Sequence, residues 1–158
     1  MKFTVKKTGQ QPGYRRAFNE FLKSGDRLRV YEDERLIFSS ARERLLPLMD
    51  YIDDFHHYHQ QVVIFDRIVG NAAALLAIKA RCRELHSPLG SQPALETLDK
   101  YGIKHHIATI VPYIQQNSSE EMCPMEKLSF NKGPEEFWQL MVAIINRPRT
   151  ETSGQDSP

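Results

Sequence analysis

The sequence predicts an α/β fold, a three-layer helix/sheet/helix sandwich with a mixed sheet. Three observations carry that reading. Val62-Val63-Ile64-Phe65 is an unbroken β-branched and aromatic run, the pattern of a strand buried on both faces. Helical stretches of roughly 10 to 13 residues alternate with extended ones, as in a sheet built with crossover helices. Near the start, Leu28 and Val30 alternate with Arg27, Arg29 and Tyr31, and Leu36-Ile37-Phe38 resumes after Asp33-Glu34-Arg35; this is a hairpin pattern, and it brings antiparallel pairing to the sheet.

The elements follow in order. Residues 1–13 are polar and broken by Gly9, Pro12 and Gly13, so a flexible segment is expected there, with a single domain over 14–146. Tyr14, Phe18, Phe21 and Leu22 recur at helical spacing until Gly25. After the hairpin, Leu45, Leu46, Leu48, Met49, Ile52 and Phe55 form an apolar stripe over 43–55, with Pro47 tolerated in a first turn. The central strand stops at Asp66. Gly70 and Asn71 then open a helix through Ala72-Ala73-Ala74-Leu75-Leu76-Ala77-Ile78, whose small residues let it lie close to the sheet. A strand is expected over 82–86, a polar connection over 87–91, and a helix carrying Ala94, Leu95, Leu98 and Tyr101 that Gly102 stops. Residues 103–114 supply further strand with a break at Pro112. Cys123-Pro124 enters a short helix, and Pro134 opens another through Phe137, Trp138, Leu140, Met141 and Ile144. The Ser-, Thr- and Pro-containing tail over 147–158 is expected to be disordered.

Composition narrows the function. Lys plus Arg number 21 against 20 Asp plus Glu, a net charge of +1 that gives no electrostatic signature of duplex or membrane binding. A nucleic-acid partner is therefore not expected. No apolar run approaches the roughly 20 residues of a membrane span, so no membrane partner is expected either. Cys82 and Cys123 stand far apart without a CxxC, and no signal-like apolar segment follows Lys2, Lys6 and Lys7; a cytoplasmic location is expected.

Two places stand out chemically. Asp66 ends the central strand, where ligands of open sheets bind, and the backbone N–H groups near Gly70 and Asn71 begin a helix and could hold an anion. The plainer reading is a turn cap and a close-packing glycine, since neither a GxGxxG nor a Walker-type phosphate loop is present. Cys123 sits at a helix entrance, where the dipole and Lys127 favour a thiolate while Glu126 opposes it; a lone cysteine is also a common buried residue. Among the histidines, His56-His57-Tyr58-His59 reads as an exposed loop, and His105-His106 begin an alternating strand with one side chain on each face. No second ligand group stands at a defining spacing from the His56–His59 cluster, so no metal and no cofactor are expected.

With these residues placed, the chain resembles the DUF1893 family of uncharacterised prokaryotic proteins over about 28–130. The likeness rests on Leu28-Arg29-Val30-Tyr31, Leu46-Pro47-Leu48, the stretch from Asp66 through Val69-Gly70 to Ala72-Ala73-Ala74-Leu75-Leu76, Pro93-Ala94-Leu95, Tyr101-Gly102-Ile103, Val111-Pro112-Tyr113-Ile114 and Cys123-Pro124-Met125-Glu126. It implies a cytidine-deaminase-like sandwich with the zinc motif absent: the Cys-Pro entrance resembles theirs, but no second cysteine follows it to complete their ligand set. Arg67 and Asn71 stand where the family pattern has lysines, and 115–121 replaces a loop carrying an Asn-Arg pair and glycine.

The reading that follows is a small cytoplasmic protein binding a nucleotide-like or other polar small molecule. Asp66 and Cys123 are the expected catalytic pair, and Arg67, Gly70, Asn71, Glu126 and Lys127 the expected ligand contacts. Any reaction would be thiol-based hydrolysis or group transfer, because no ligand set activates a water. The alternative is a non-catalytic interaction or regulatory protein on the same scaffold.

Overall fold

The computed structural model describes residues 12–55, 58–116 and 119–155, with side chains described between 14 and 146. Residues 1–11 of the expected flexible segment, His56 and His57, and 156–158 of the expected tail lie outside the described residues. Helix α1 (Pro12–Lys23) is followed by a hairpin of β1 (Leu28–Glu32) and β2 (Arg35–Ser40), then α2 (Leu46–Phe55), β3 (Val62–Asp66), α3 (Asn71–Lys79), β4 (Cys82–Ser91), α4 (Gln92–Lys100), β5 (Lys104–Val111), α5 (Pro124–Ser129) and α6 (Pro134–Gln155). The last helix is traced past the point where the sequence predicts a tail. None of these helices is long and apolar enough to cross a membrane.

The five strands form one mixed sheet in the order β2-β1-β3-β4-β5. The hairpin pairs antiparallel, β1 pairs antiparallel with β3, and β3, β4 and β5 run parallel. The expected central strand is therefore the middle one, and Val62, Val63, Ile64 and Phe65 are all fully buried. Alternation along the strands makes two cores. Tyr31, Val63 and Phe65 meet Tyr14 and Phe21 of α1 on one face; Leu28, Val30, Val62, Ile64 and Leu85 pack on the other with side chains of α2, α3, α4 and α6. Among the described residues α1 is the one helix of its face, and Lys104, His106, Ala108 and Ile110 on the outer face of the edge strand β5 are exposed.

Local chemistry explains the boundaries. The hairpin turns on Asp33 and Glu34, both at positive φ (52° and 66°), as a two-residue turn matched to strand twist requires. The Glu34 N–H donates to Tyr14 Oη at 2.9 Å, tying α1 to the turn. Helix α2 begins at Leu46 rather than 43, because Arg44 adopts φ 61° and Pro47, which lacks an N–H, suits the first turn. Gly102 at φ 73° closes α4, with its N–H donating to Asp99 O and that of Ile103 to Leu98 O.

A larger departure lies in the fourth strand. The polar stretch 87–91 is not a connection but the second half of β4. Its backbone is held from both sides, by the register Leu89↔Thr109, Gly90↔Ile110 and Ser91↔Val111 to β5 and by bonding to Val69. Ser87 Oγ both donates to Leu89 O and accepts from Leu89 N. The pairing is carried by main chain, which leaves no apolar pattern to read.

Candidate functional site

A cavity of about 370 Å³ opens beyond the carboxyl end of β3. The β3–α3 junction supplies Asp66, Arg67, Ile68 and Gly70, the loop before α2 supplies Arg44 and Leu45, and the far wall comes from Ile114 to Gln116 and from Cys123 to Glu126. Asp66 and Cys123, separated by the whole of α3, β4, α4 and β5 in sequence, thus line one space.

Asp66 sits opposite Leu28 of β1 at the sheet's end. Burial pushes its carboxyl group up to about 7, against the opposing pull of hydrogen bonds from the Ile68 and Arg67 backbone and the charge of Arg27. Near neutral pH it can both donate and accept a proton. Cys123 caps the N-terminus of α5 without a side-chain cap bond and is half-buried, its N–H donating to Ile114 O at 2.8 Å. Cys82 differs: it is buried in β4, and that burial pushes its thiol up to about 12.

Of the expected ligand contacts, Arg67, Gly70 and Glu126 line the cavity, whereas Asn71 and Lys127 do not. The functional groups of several are already engaged. The Arg67 guanidinium donates to the carbonyl oxygens of Phe21 (2.8 Å), Ser24 (2.7 Å) and Asp26 (2.7 Å), closing the C-terminal end of α1, and lies 4.8 Å from the Phe21 ring centroid. Glu126 is buried, and its Oε1 accepts the Asn71 N–H at 2.5 Å while Oε2 accepts that of Ile114 at 3.1 Å. The start of α3 therefore holds an anion, but one supplied by the protein. Gly70 makes this approach possible: a Cβ there would stand 2.6 Å from Glu126 Oε1. The Asn71 side chain donates to Ser129 Oγ at 2.9 Å and accepts from Thr97 Oγ1, joining α3, α4 and α5. Lys127 is exposed.

Three charged cavity residues escaped the sequence reading: Arg27, Arg44 and the acidic Glu43. Arg27 and Arg44 are exposed, and neither forms an ion pair among the described residues. They are the cations best able to meet an anion entering the cavity. Only the tertiary pairing of β1 and β3 reveals Arg27, since Arg27 reads simply as the polar residue before a strand.

A second cluster lies elsewhere. Glu84 and His86 on β4 and His106 on β5 share one sheet face, with His86 and His106 in direct register. Glu84 Oε2 lies 2.9 Å from His86 Nε2 and 3.0 Å from His106 Nε2. The His86 hydrogen bond and the neighbouring positive charges outweigh burial and hold the Glu84 carboxyl down at about 2, whereas burial, then His86, lowers His106. The signal was an i, i+2 Glu-x-His in a strand, but the partner strand's register is not written in the sequence.

A family model described as a domain of unknown function (DUF1893) matches residues 17–144. Among solved structures, a DUF1893 family protein from Thermotoga maritima superposes with a TM-score of 0.77 at 27% identity, covering 85% of this chain and 90% of that one. No curated protein matches.

Proposed function

The chain belongs to the DUF1893 family, and from that premise, which supplies no reaction, we propose that it binds a small anionic molecule of nucleotide-like size in the Asp66 cavity. The observation that carries this reading is the meeting of Asp66 and Cys123 in one cavity of about 370 Å³, a size typical of small-molecule sites. In this reading Arg27 and Arg44 hold the anionic part, because the α3 N-terminus is filled by Glu126 and Arg67 is engaged by α1. Asp66 orients a hydroxyl or amino group, and its proton is exchangeable near pH 7.

The chemistry proposed for this site is thiol-based. Cys123 would pass its proton to the ionised Asp66 carboxylate as sulfur bonds to an electrophilic acyl carbon. Asp66 would return that proton to the departing group, and water would then cleave the thioester and restore the thiol. The deaminase-like character of the fold and a cytoplasmic location belong to the same proposal. A second reading, a non-catalytic regulatory protein that senses the ligand, is favoured by the engagement of Arg67 and Glu126 in packing rather than in the cavity.

Freshly purified protein weighed by native mass spectrometry and again after denaturation tests the binding, together with thiol labelling of Cys123 in the presence of nucleoside phosphates. A retained small molecule, or slowed labelling that Arg27→Ala abolishes, supports the site. A bare mass with no protection by any member of the panel overturns it. Given binding, turnover lost in Cys123→Ala supports thiol catalysis, and binding without turnover supports the regulatory reading.

A further inference from the structure

We propose that Glu84, His86 and His106 form a binding site for a divalent transition-metal ion, of which zinc is the representative. The ligand atoms are Glu84 Oε2 and the two Nε2 atoms, which all lie within 4.8 Å of one another.

Two of the three ligand–ligand separations suit the ion as they stand. With metal–ligand bonds of about 2.0–2.2 Å, neighbouring ligands are separated by roughly 2.9 Å at a right angle and roughly 3.4 Å at a tetrahedral one. The two carboxylate–imidazole separations here are 2.9 and 3.0 Å. The imidazole rings lie nearly parallel, with centroids 4.4 Å apart and planes 21° apart, so both Nε2 atoms reach the same carboxylate oxygen. Arg83 Nη1 donates to the other oxygen, Oε1, at 3.1 Å, leaving Oε2 to bind as a single donor. The set is also pre-positioned. Glu84 is fully buried in the strand, and the Phe65 and Phe18 rings, with centroids 5.2 and 5.7 Å from that of His86, pack around it.

Donor type sets the class of ion: two imidazoles and a carboxylate suit zinc and its first-row neighbours better than calcium or magnesium. His106 belongs to the open face of β5, its side chain 48% exposed, so a fourth position can be taken by water or by an oxygen of a ligand. Three protein ligands with one open position is the pattern of zinc sites that act on a substrate rather than merely hold a fold. None of the three residues lines the Asp66 cavity, so this site stands or falls independently of the proposed function.

Titration of the chelator-treated full chain with Co²⁺, read by visible absorption and by competition with Zn²⁺, tests the site. The expected result is one equivalent bound, with d–d bands and without a thiolate charge-transfer band, since no cysteine belongs to the set. His106→Ala should weaken binding at least about tenfold, whereas His105→Ala, on the other face of β5, should leave it unchanged. No stoichiometric binding, a thiolate band, or equal affinity in His106→Ala overturns the proposal. Should His106→Ala fail to fold, imidazole NMR of the native chain decides: selective Zn²⁺ shifts of His86 and His106 support the site, and their absence refutes it.

Discussion

Glu126 Oε1 lies 2.5 Å from the backbone nitrogen of Asn71, so a side chain of α5 caps α3 across 55 positions of sequence. The other oxygen of the same carboxylate takes the Ile114 N–H. One buried group thus satisfies two main-chain donors, the Asn71 N–H fully buried and the Ile114 N–H partly so. Glu126→Ala leaves both unpaired, at about 1–3 kcal/mol each, and is expected to lower stability by about 2–5 kcal/mol; urea unfolding measures it. A loss below about 0.5 kcal/mol would show that water replaces the carboxylate freely.

Gly70 is tied to that bond. A methyl group there would sit 2.6 Å from Glu126 Oε1 and 2.9 Å from Ile114 Cγ1, closer than side chains tolerate. Gly70→Ala is expected to cost about 1–3 kcal/mol. The clash and the cap share an atom, so the two substitutions should not add: in a double-mutant cycle Gly70→Ala costs less once Glu126 is Ala. Strict additivity would contradict the contact.

Arg67 makes a parallel case at α1. Its guanidinium meets the Phe21, Ser24 and Asp26 carbonyls and stacks near the Phe21 ring, a fork geometry that a lysine ammonium cannot reproduce. Arg67→Lys should therefore lower the unfolding midpoint nearly as far as Arg67→Ala, by about 1–3 kcal/mol. Full rescue by lysine would mean that charge alone matters there.

These contacts mark the boundary of what the sequence discloses. The central strand, the hairpin and the small-residue face of α3 are local patterns of side-chain type, and each is found where its pattern lies. Asp66 at a strand end follows from them directly. The encounter of Asp66 with Cys123 does not, because it depends on how α5 docks against the start of α3, and the agent of that docking, Glu126, reads in sequence as an ordinary charged residue of a helix. Likewise the second half of β4 is stabilised by main-chain pairing, and the Glu84–His86–His106 cluster by strand register. Both are properties of two segments together. Side-chain commitment is equally hidden: an arginine after a strand-ending aspartate suggests a ligand contact until the carbonyls of α1 appear beside it.

Asp66 makes the fold sensitive to pH in a defined direction. Its ordinary value of 3.8 is raised to about 7 in the folded chain, chiefly by burial. Below the lower value both folded and unfolded states carry the proton and the group is neutral to stability. As pH rises toward the upper value the unfolded chain releases it first, and stability falls; above about 7 the fold holds a buried carboxylate. Asp66→Asn removes that charge. The variant should match the parent at pH 3.5 and exceed it by on the order of 1–3 kcal/mol at pH 8, allowing for partial exposure and for Arg27. Paired chemical denaturation at the two pH values checks this, and a gap that shrinks with rising pH would refute the assignment.

The two thiols should separate cleanly. Cys82 is buried in β4, burial pushes its thiol up to about 12, and so it is protonated and shielded throughout the neutral range. Cys123 is half-buried on the wall of an open cavity. Iodoacetamide at pH 7.5 is therefore expected to add one group to the native protein, at Cys123, and a second only on unfolding. Peptide mapping by mass spectrometry assigns the sites, and Cys123→Ser should abolish native labelling without exposing Cys82. Labelling of both at similar rates would mean that β4 opens on the reaction's timescale. No native labelling at all would make Cys123 a packing residue, and with it would go the thiol chemistry proposed for the cavity.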